Sequence, residues 1–216
     1  MEFEEFRKVL LQEFPQTTGE QVESFARLDA LYRDWNSRIN VISRKDIDEL
    51  YSHHVLHSLA IAAYCGREGG LIADGDEVLD LGTGGGFPGI PLAILYPEVH
   101  FTLCDSIGKK TVVAKAVADA IGLGNVTVVN ARAESLGKQF DWVVSRAVTS
   151  LDNFLPWVRG AYGKGILYLK GGDIAEEIAV AMARNGLKKG SVHTWKVDSW
   201  LQDPYFDGKF VIRIEK

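Results

Sequence analysis

The chain has 216 residues, of which 46% are hydrophobic and 25% charged, enough for one full α/β core with an extension and ordinary for a water-soluble globular protein. A net charge of −5 at pH 7 excludes a protein that coats nucleic acid through a broad basic face, and no apolar run approaches the roughly 20 residues of a membrane span. Cys65 and Cys104 form neither a disulfide framework nor a zinc-ligand spacing, and the acidic opening MEFEEFRKVL lacks the basic start and apolar core of a secretory signal, so a cytoplasmic protein is expected.

Phe3, Phe6, Val9, Leu10 and Phe14 recur at helical spacing as far as Pro15, and Val22, Phe25, Leu28, Tyr32 and Trp35 do so after TTGE, which places Trp35 on a core stripe. A third pattern, Ile47, Leu50, Tyr51, Val55 and Leu59, follows SRKD, where Ser43 or Asp46 is positioned to cap one more amphipathic helix. Residues 1–65 therefore read as a helical N-terminal extension to a core at 66–216. His53 and His57 lie four apart on that third helix beside His54, but no carboxylate or cysteine accompanies them at a ligand spacing, and no metal site is expected.

From Glu77 the pattern changes to short β-branched runs alternating with helical stretches: EVLDLG, HFTLCD, VTVVNAR, FDWVVSR and GKGILYLKG. Strands separated by helices imply a parallel sheet with right-handed crossovers. SVHTWKV and KFVIRIEK then follow with only a loop holding Pro204 and Gly208 between them, which predicts an antiparallel pair. The expected fold is α/β and Rossmann-like: a doubly wound, mostly parallel seven-stranded sheet with an antiparallel C-terminal hairpin.

The stretch VLDLGTGGGFPGIPLA, residues 78–93, puts Gly82, Gly84, Gly85, Gly86 and Gly89 at the carboxyl end of the first sheet strand, where doubly wound folds bind ligands. A simple turn needs one or two glycines; five imply a backbone bared for contact with a cofactor. Pro88 or Pro91 suits the first turn of the next helix. The run also satisfies the dinucleotide pattern G-x-G-x-x-G, with Asp105 about twenty residues on. Asp80, two residues before Gly82, instead completes D-x-G-x-G-x-G, and with the preceding helices and the terminal hairpin it favours S-adenosylmethionine and a class I methyltransferase. Asp105 ends its strand where a carboxylate meets two ribose hydroxyls, or else caps the helix opened by SIGKK. Arg132 to Glu134 follow the third strand, where backbone and carboxylate face an adenine edge. Ser145 to Ala147 follow the fourth and face the transfer site.

These residues resemble the RsmG (GidB) family of small-subunit ribosomal RNA (guanine-N7) methyltransferases. GTGGGFPGIPLA, CDSIGKK, RAE, FDWVVSRAV and LKGG occur in that family's order, as do the upstream WNSRINVISRKD and HHVLHSL. The resemblance implies a class I fold, S-adenosylmethionine as cofactor, contacts to it from Gly82, Phe87, Ala133, Glu134 and Arg146, and a guanine of small-subunit ribosomal RNA as target. His57 departs from the family's H-x-x-D-S-L, where an aspartate is usual.

Guanine N7 carries a lone pair and no proton, so its methylation needs positioning and no catalytic base. The place after the fourth strand holds SRAV, not the N-P-P-Y type of tetrapeptide that binds exocyclic amines, and Cys104 and Cys65 lie away from it, against transfer to pyrimidine C5. Arg146 is the candidate catalytic residue, donating to guanine O6 or to the cofactor carboxylate; a plain salt bridge is its structural alternative. With Asp80, Gly82, Gly84, Phe87, Asp105, Ala133 and Glu134, it forms the expected cofactor set. Arg33, Arg38, Arg44, Lys45, Lys109 and Lys110 are the candidate RNA contacts. The expected partner is small-subunit ribosomal RNA or the subunit itself, with no membrane and no stable protein partner. The alternatives are a class I methyltransferase acting on another RNA or a small molecule, and a ribosome assembly factor that keeps a cofactor pocket.

Overall fold

Local hydrogen bonds start the second helix where TTGEQ predicts it. Thr18 Oγ1 accepts from the Gln21 amide at 3.2 Å while Gln21 Oε1 accepts from the Thr18 amide at 2.8 Å, a reciprocal cap that satisfies two donors left over at a helix N-terminus. The computed structural model describes residues 1–146 and 148–216; of the residues expected at the transfer site, Ala147 lies outside them. Two helices, α1 (Phe3–Glu13) and α2 (Gly19–Asn36), precede α3 (His57–Arg67). Trp35 is partly buried against the core, with the Arg38 guanidinium 4.4 Å over its ring.

The expected single helix from Ile47 to Leu59 is not what forms. Ile47–Glu49 is a 3₁₀ turn, Leu50–Leu56 is a π-helix, and regular α-helix begins only at His57. Asp46 makes no side-chain cap, and Ser43 hydrogen-bonds to it instead. Apolar spacing does not distinguish α from π over seven residues. The wider π turn here turns His53 and His54 toward the end of the fourth strand, described below, and π segments recur at functional sites.

The sheet has seven strands: β1 (Glu77–Leu81), β2 (His100–Asp105), β3 (Val126–Asn130), β4 (Phe140–Arg146), β5 (Tyr162–Gly171), β6 (Val192–Lys196) and β7 (Lys209–Glu215). Their order is β3-β2-β1-β4-β5-β7-β6. The first five are parallel, and β7 inserts antiparallel between β5 and β6. The helices α4 (Gly89–Leu95) and α5 (Gly108–Ile121) cross over between the first three strands, while α6 (Leu151–Trp157) follows β4 and α7 (Ala175–Asn185) follows β5. The expected fold class is the observed one.

Strand periodicity divides the apolar side chains between two faces. Val78 and Leu103 join the core under α4, α5 and the N-terminal helices, whereas Leu79 and Leu81 join the core under α6 and α7. Phe6, Leu10, Phe25, Leu28 and Tyr32 belong to the first of these cores and are fully buried there. Gln21 adds a polar tie, donating to the Ile94 carbonyl at the end of α4 at 2.8 Å. No helix of the described residues is long and apolar enough to cross a membrane.

Because Phe6 packs edge-on against Phe25 and stacks on Tyr51, with ring centroids 5.3 and 5.0 Å away, its removal leaves a cavity in the shared core. Phe6→Ala is expected to cost about 3–5 kcal/mol, measured by urea denaturation, with the loss appearing in the same transition that unfolds the sheet.

Candidate active site

The glycine turn is shaped by side chains from three separate elements. Asp80, fully buried on β1, accepts from the Thr83 hydroxyl at 2.6 Å and the Gly89 amide at 2.8 Å. Asp105, at the end of β2, accepts from the Gly84 amide at 2.9 Å through one oxygen and from the Ile107 amide at 2.8 Å through the other, so it ties the turn to the residue that precedes α5, without capping that helix. Tyr32 of α2 donates to the Gly85 carbonyl at 2.9 Å. At Gly89 and Gly82 a side chain would collide with its neighbours. A Cβ on Gly89 falls 2.1 Å from Leu103 and 2.7 Å from the Asp80 carboxylate, and one on Gly82, where φ is +74°, falls 2.3 Å from Val148. Pro88 caps α4 and Pro91 lies in its first turn.

Above the turn, at the carboxyl ends of β1 to β4, opens a cavity of about 570 Å³. Gly82, Asp105, Ala133, Glu134 and Arg146 line it, as do Lys110, Arg132, Val148 and Trp157. Of the residues expected to meet a cofactor, three do not line it. Asp80 lies beneath the turn, and Phe87 lies behind Arg146, its ring 5.3 Å from the guanidinium and 4.8 Å from the Tyr32 ring. Gly84 is connected to the cavity lining only through the hydrogen bond its amide donates to the Asp105 carboxylate.

Arg146 is held at the end of β4 by the π-helix. Nη1 donates to the His53 carbonyl at 3.2 Å, and Nη2 donates to His54 Nδ1 at 3.0 Å. Arginine has no acceptor, so His54 presents a lone pair at Nδ1 and keeps its proton on Nε2. Burial, helped by the Arg146 charge, pushes this imidazole down to about 3, and it stays neutral at physiological pH. The Tyr205 hydroxyl donates to the same His53 carbonyl at 3.1 Å, and its ring stacks on His53 with centroids 3.6 Å apart. His57 is buried, and burial holds its imidazole well below the usual histidine range. None of these histidines belongs to a cluster able to hold a metal among the described residues.

The candidate RNA contacts divide. Arg33 pairs with Asp29 and Asp48, each at 2.9 Å, and Arg38 pairs with Asp34. Arg44, Lys45 and Lys109 are exposed, while Lys110 lines the cavity. Asn36 folds the segment that carries Arg44: its side-chain oxygen accepts from the Val41 and Ile42 amides at 2.9 and 3.0 Å. Val41 then packs on the glycine turn, where a Cβ on Gly85 falls 2.9 Å from it. Tyr32, His54 and Tyr205 were not legible as site residues in the sequence. Tyr32 shows there only as one member of a core stripe, and Tyr205 lies about 150 residues from the helix it braces.

Known structures share this architecture. The magnesium protoporphyrin IX methyltransferase (ChlM) of Synechocystis PCC 6803 with bound SAM matches with a TM-score of 0.61 at 15% identity, covering 93% of this chain and 99% of that one. The T. thermophilus 16S rRNA N2 G1207 methyltransferase (RsmC), in complex with AdoMet and guanosine, matches with a TM-score of 0.56 at 16% identity, over 83% of this chain and 44% of that one. The shared sheet order, with the glycine turn and the two carboxylates at its carboxyl edge, is that of a class I S-adenosylmethionine-dependent methyltransferase. The chain belongs to the rRNA small subunit methyltransferase G (GidB) family, whose model matches residues 21–199. It is 47% identical to the ribosomal RNA small subunit methyltransferase G of Flavobacterium psychrophilum over 95% of this chain and 96% of that one. Identity to the corresponding protein of Bacteroides fragilis is 49%, over 96% and 98%.

S-adenosylmethionine suits the donor set. The cavity has carboxylates at the ends of β2 and β3 for hydroxyl and amine hydrogens, basic groups for a carboxylate, and at Gly82 a bare backbone that a side chain would obstruct.

Burial raises the Asp80 carboxyl to about 7, against the opposing pull of the Thr83 hydroxyl and the Gly89 amide. An acid whose folded value exceeds its unfolded one, about 3.9, binds its proton more tightly in the folded chain. Its contribution to stability is therefore full below about pH 4 and is lost as pH rises through about 7. Asp80→Asn is expected to flatten that decline, measured by urea denaturation at several pH values; an unchanged slope assigns the decline to other groups.

Proposed function

We propose that this methyltransferase transfers a methyl group to N7 of a guanine in 16S ribosomal RNA of the small subunit, in the cytoplasm. Family membership supports the ribosomal RNA substrate. The finer assignment rests on one observation: the β4 side of the cavity is lined by Arg146 and Val148, and neither accepts a proton. A nitrogen that must lose a proton is poorly served there, whereas N7 attacks with a free lone pair. When bound, S-adenosylmethionine supplies an electrophilic methyl on a sulfonium.

The chain's own residues then divide the work. Asp105 and Glu134 accept hydrogens from the nucleoside part of the cofactor, and the backbone at Gly82 and Ala133 allows its close approach. Arg146 donates, either to the cofactor carboxylate or to guanine O6, from a guanidinium already fixed on two sides by His53 and His54. The target base enters unstacked, since N7 of a stacked base in an RNA helix is out of reach. Arg44, Lys45 and Lys109 meet phosphates; they make no ion pair among the described residues, while Arg33 and Arg38 are already paired with acids.

Labelled methyl from S-adenosylmethionine is expected to appear as 7-methylguanosine in small subunits that lack the modification, or in their naked RNA. Label in another nucleoside overturns the N7 assignment, and absence of label despite cofactor binding favours another methyl acceptor or an assembly factor. Arg146→Ala is expected to lower transfer at least 100-fold in a folded protein, and full activity removes Arg146 from the mechanism. Reversing Arg44, Lys45 and Lys109 to glutamate is expected to weaken RNA binding and reduce its salt slope by about one per lost phosphate contact. Binding unchanged across salt titrations removes this surface.

A further inference from the structure

The LKGG stretch lies outside the cavity, yet two of its neighbours and its own lysine converge on the segment that follows Arg146. We propose that Tyr168, Lys170 and Glu177 are positioning residues that fix the loop at 148–151 and thereby place the wall against which the methyl acceptor sits. The inference rests on the reading that the β4 end is the acceptor side.

Among the described residues, the side chains that bind the Val148, Thr149 and Leu151 backbone come from β5 and α7. The Val148 and Thr149 amides both donate to the Tyr168 hydroxyl oxygen, at 3.1 and 3.3 Å, and the hydroxyl donates back to the Thr149 carbonyl at 2.8 Å. Lys170 Nζ donates to that same carbonyl at 3.1 Å. Glu177 pairs with Lys170 at 3.0 Å and accepts from the Leu151 amide at 2.7 Å. It thus caps α6 from outside, where Ser150, in the N-cap position, makes no side-chain cap. Both lone pairs of the Thr149 carbonyl are used, and the phenol oxygen accepts twice and donates once. Burial pushes the Tyr168 phenol up, so it keeps the proton that it donates.

The fixed loop bears directly on the site. Val148 lines the cavity, and its methyls fill the space that a Cβ on Gly82 would take. The wall therefore touches the glycine turn, and a shift of the loop changes the cavity at its β4 end while leaving Glu134 and Asp105 in place. Tyr168 is beside Ser145 in the β4–β5 register, and its ring packs on Phe154 with centroids 4.7 Å apart. A hydroxyl on a fully buried ring is thus available as a rigid rest for two successive amides. Misplacing a reacting group by about 1 Å costs roughly 100-fold in rate, so a loop held by several bonds suits a reaction that relies on placement.

Tyr168→Phe removes the hydroxyl and keeps the ring. Single-turnover methyl transfer at saturating RNA is expected to fall about 10- to 100-fold, with cofactor Kd from calorimetry changed less than about twofold. Lys170→Met is expected to behave alike and Lys170→Arg to recover much of the rate. Wild-type transfer in Tyr168→Phe overturns the proposal, as does a loss of rate matched by an equal loss of cofactor affinity. If Tyr168→Phe fails to fold, Glu177→Gln, which keeps an acceptor for the Leu151 amide but loses the charge facing Lys170, decides on the same two readouts. Arg146→Ala assayed alongside separates the readings. Full activity there removes the acceptor-side assignment, whereas an inactive Arg146→Ala beside a fully active Tyr168→Phe removes the loop proposal alone.

Discussion

The glycine turn after β1 has almost no side chains with which to fix itself, and glycine gives up more backbone freedom on folding than any other residue. Its shape must be imposed from outside, and the main device is the Asp80 carboxylate beneath it, which gathers the Thr83 hydroxyl and the Gly89 amide into one point. Asp105 holds the middle of the turn and Tyr32 its far side. A carboxylate with no exposure to solvent is expensive to keep charged, which is why its acid strength is so reduced. The Gly82 side of the cavity depends on this arrangement, because Gly82 presents a bare backbone only while the turn keeps its form.

The β4 side of the cavity is built on another principle. Arg146 is at the end of a strand, where the ladder no longer guides its long side chain, and a π-helix from the N-terminal region supplies a carbonyl and an imidazole nitrogen to receive it. That carbonyl also receives Tyr205, so residues from the beginning, middle and end of the sequence meet within one hydrogen-bond network. A neutral histidine is well chosen for this place, since a cation would repel the guanidinium and a carboxylate would neutralise it.

Features legible in the sequence were those encoded by neighbours. Strand runs, the glycine spacing, Asp105 at a strand end and the two closing strands all depend on residues a few positions apart, and they placed the sheet correctly in outline, with the glycine turn and Asp105 at its carboxyl edge. Asp80 was legible as important, but its side of the turn was not: spacing alone does not tell a carboxylate that touches a ligand from one that supports the loop beneath it. The π-helix escaped because its apolar pattern over seven residues also suits an α-helix. Tyr168, Glu177 and Tyr205 looked like ordinary core and surface residues, since the backbone atoms they bind lie about 20 to 150 positions away and leave no trace in side-chain patterning.

The position of β7 has a consequence for the order in which the site is completed during synthesis. This strand emerges after β6 yet lies between β5 and β6, so until it inserts, β5 is an open edge and β6 has no partner. Tyr205 sits just before β7 and reaches the π-helix only when that insertion brings it there. A growing chain that has made β4 already carries both partners of Arg146, the His53 carbonyl and His54 Nδ1, but the second donor to that carbonyl, Tyr205, comes only with the last strands. The carbonyl that receives Arg146 thus gains its last restraint when the C-terminal strands are made, after every other partner in that network already exists.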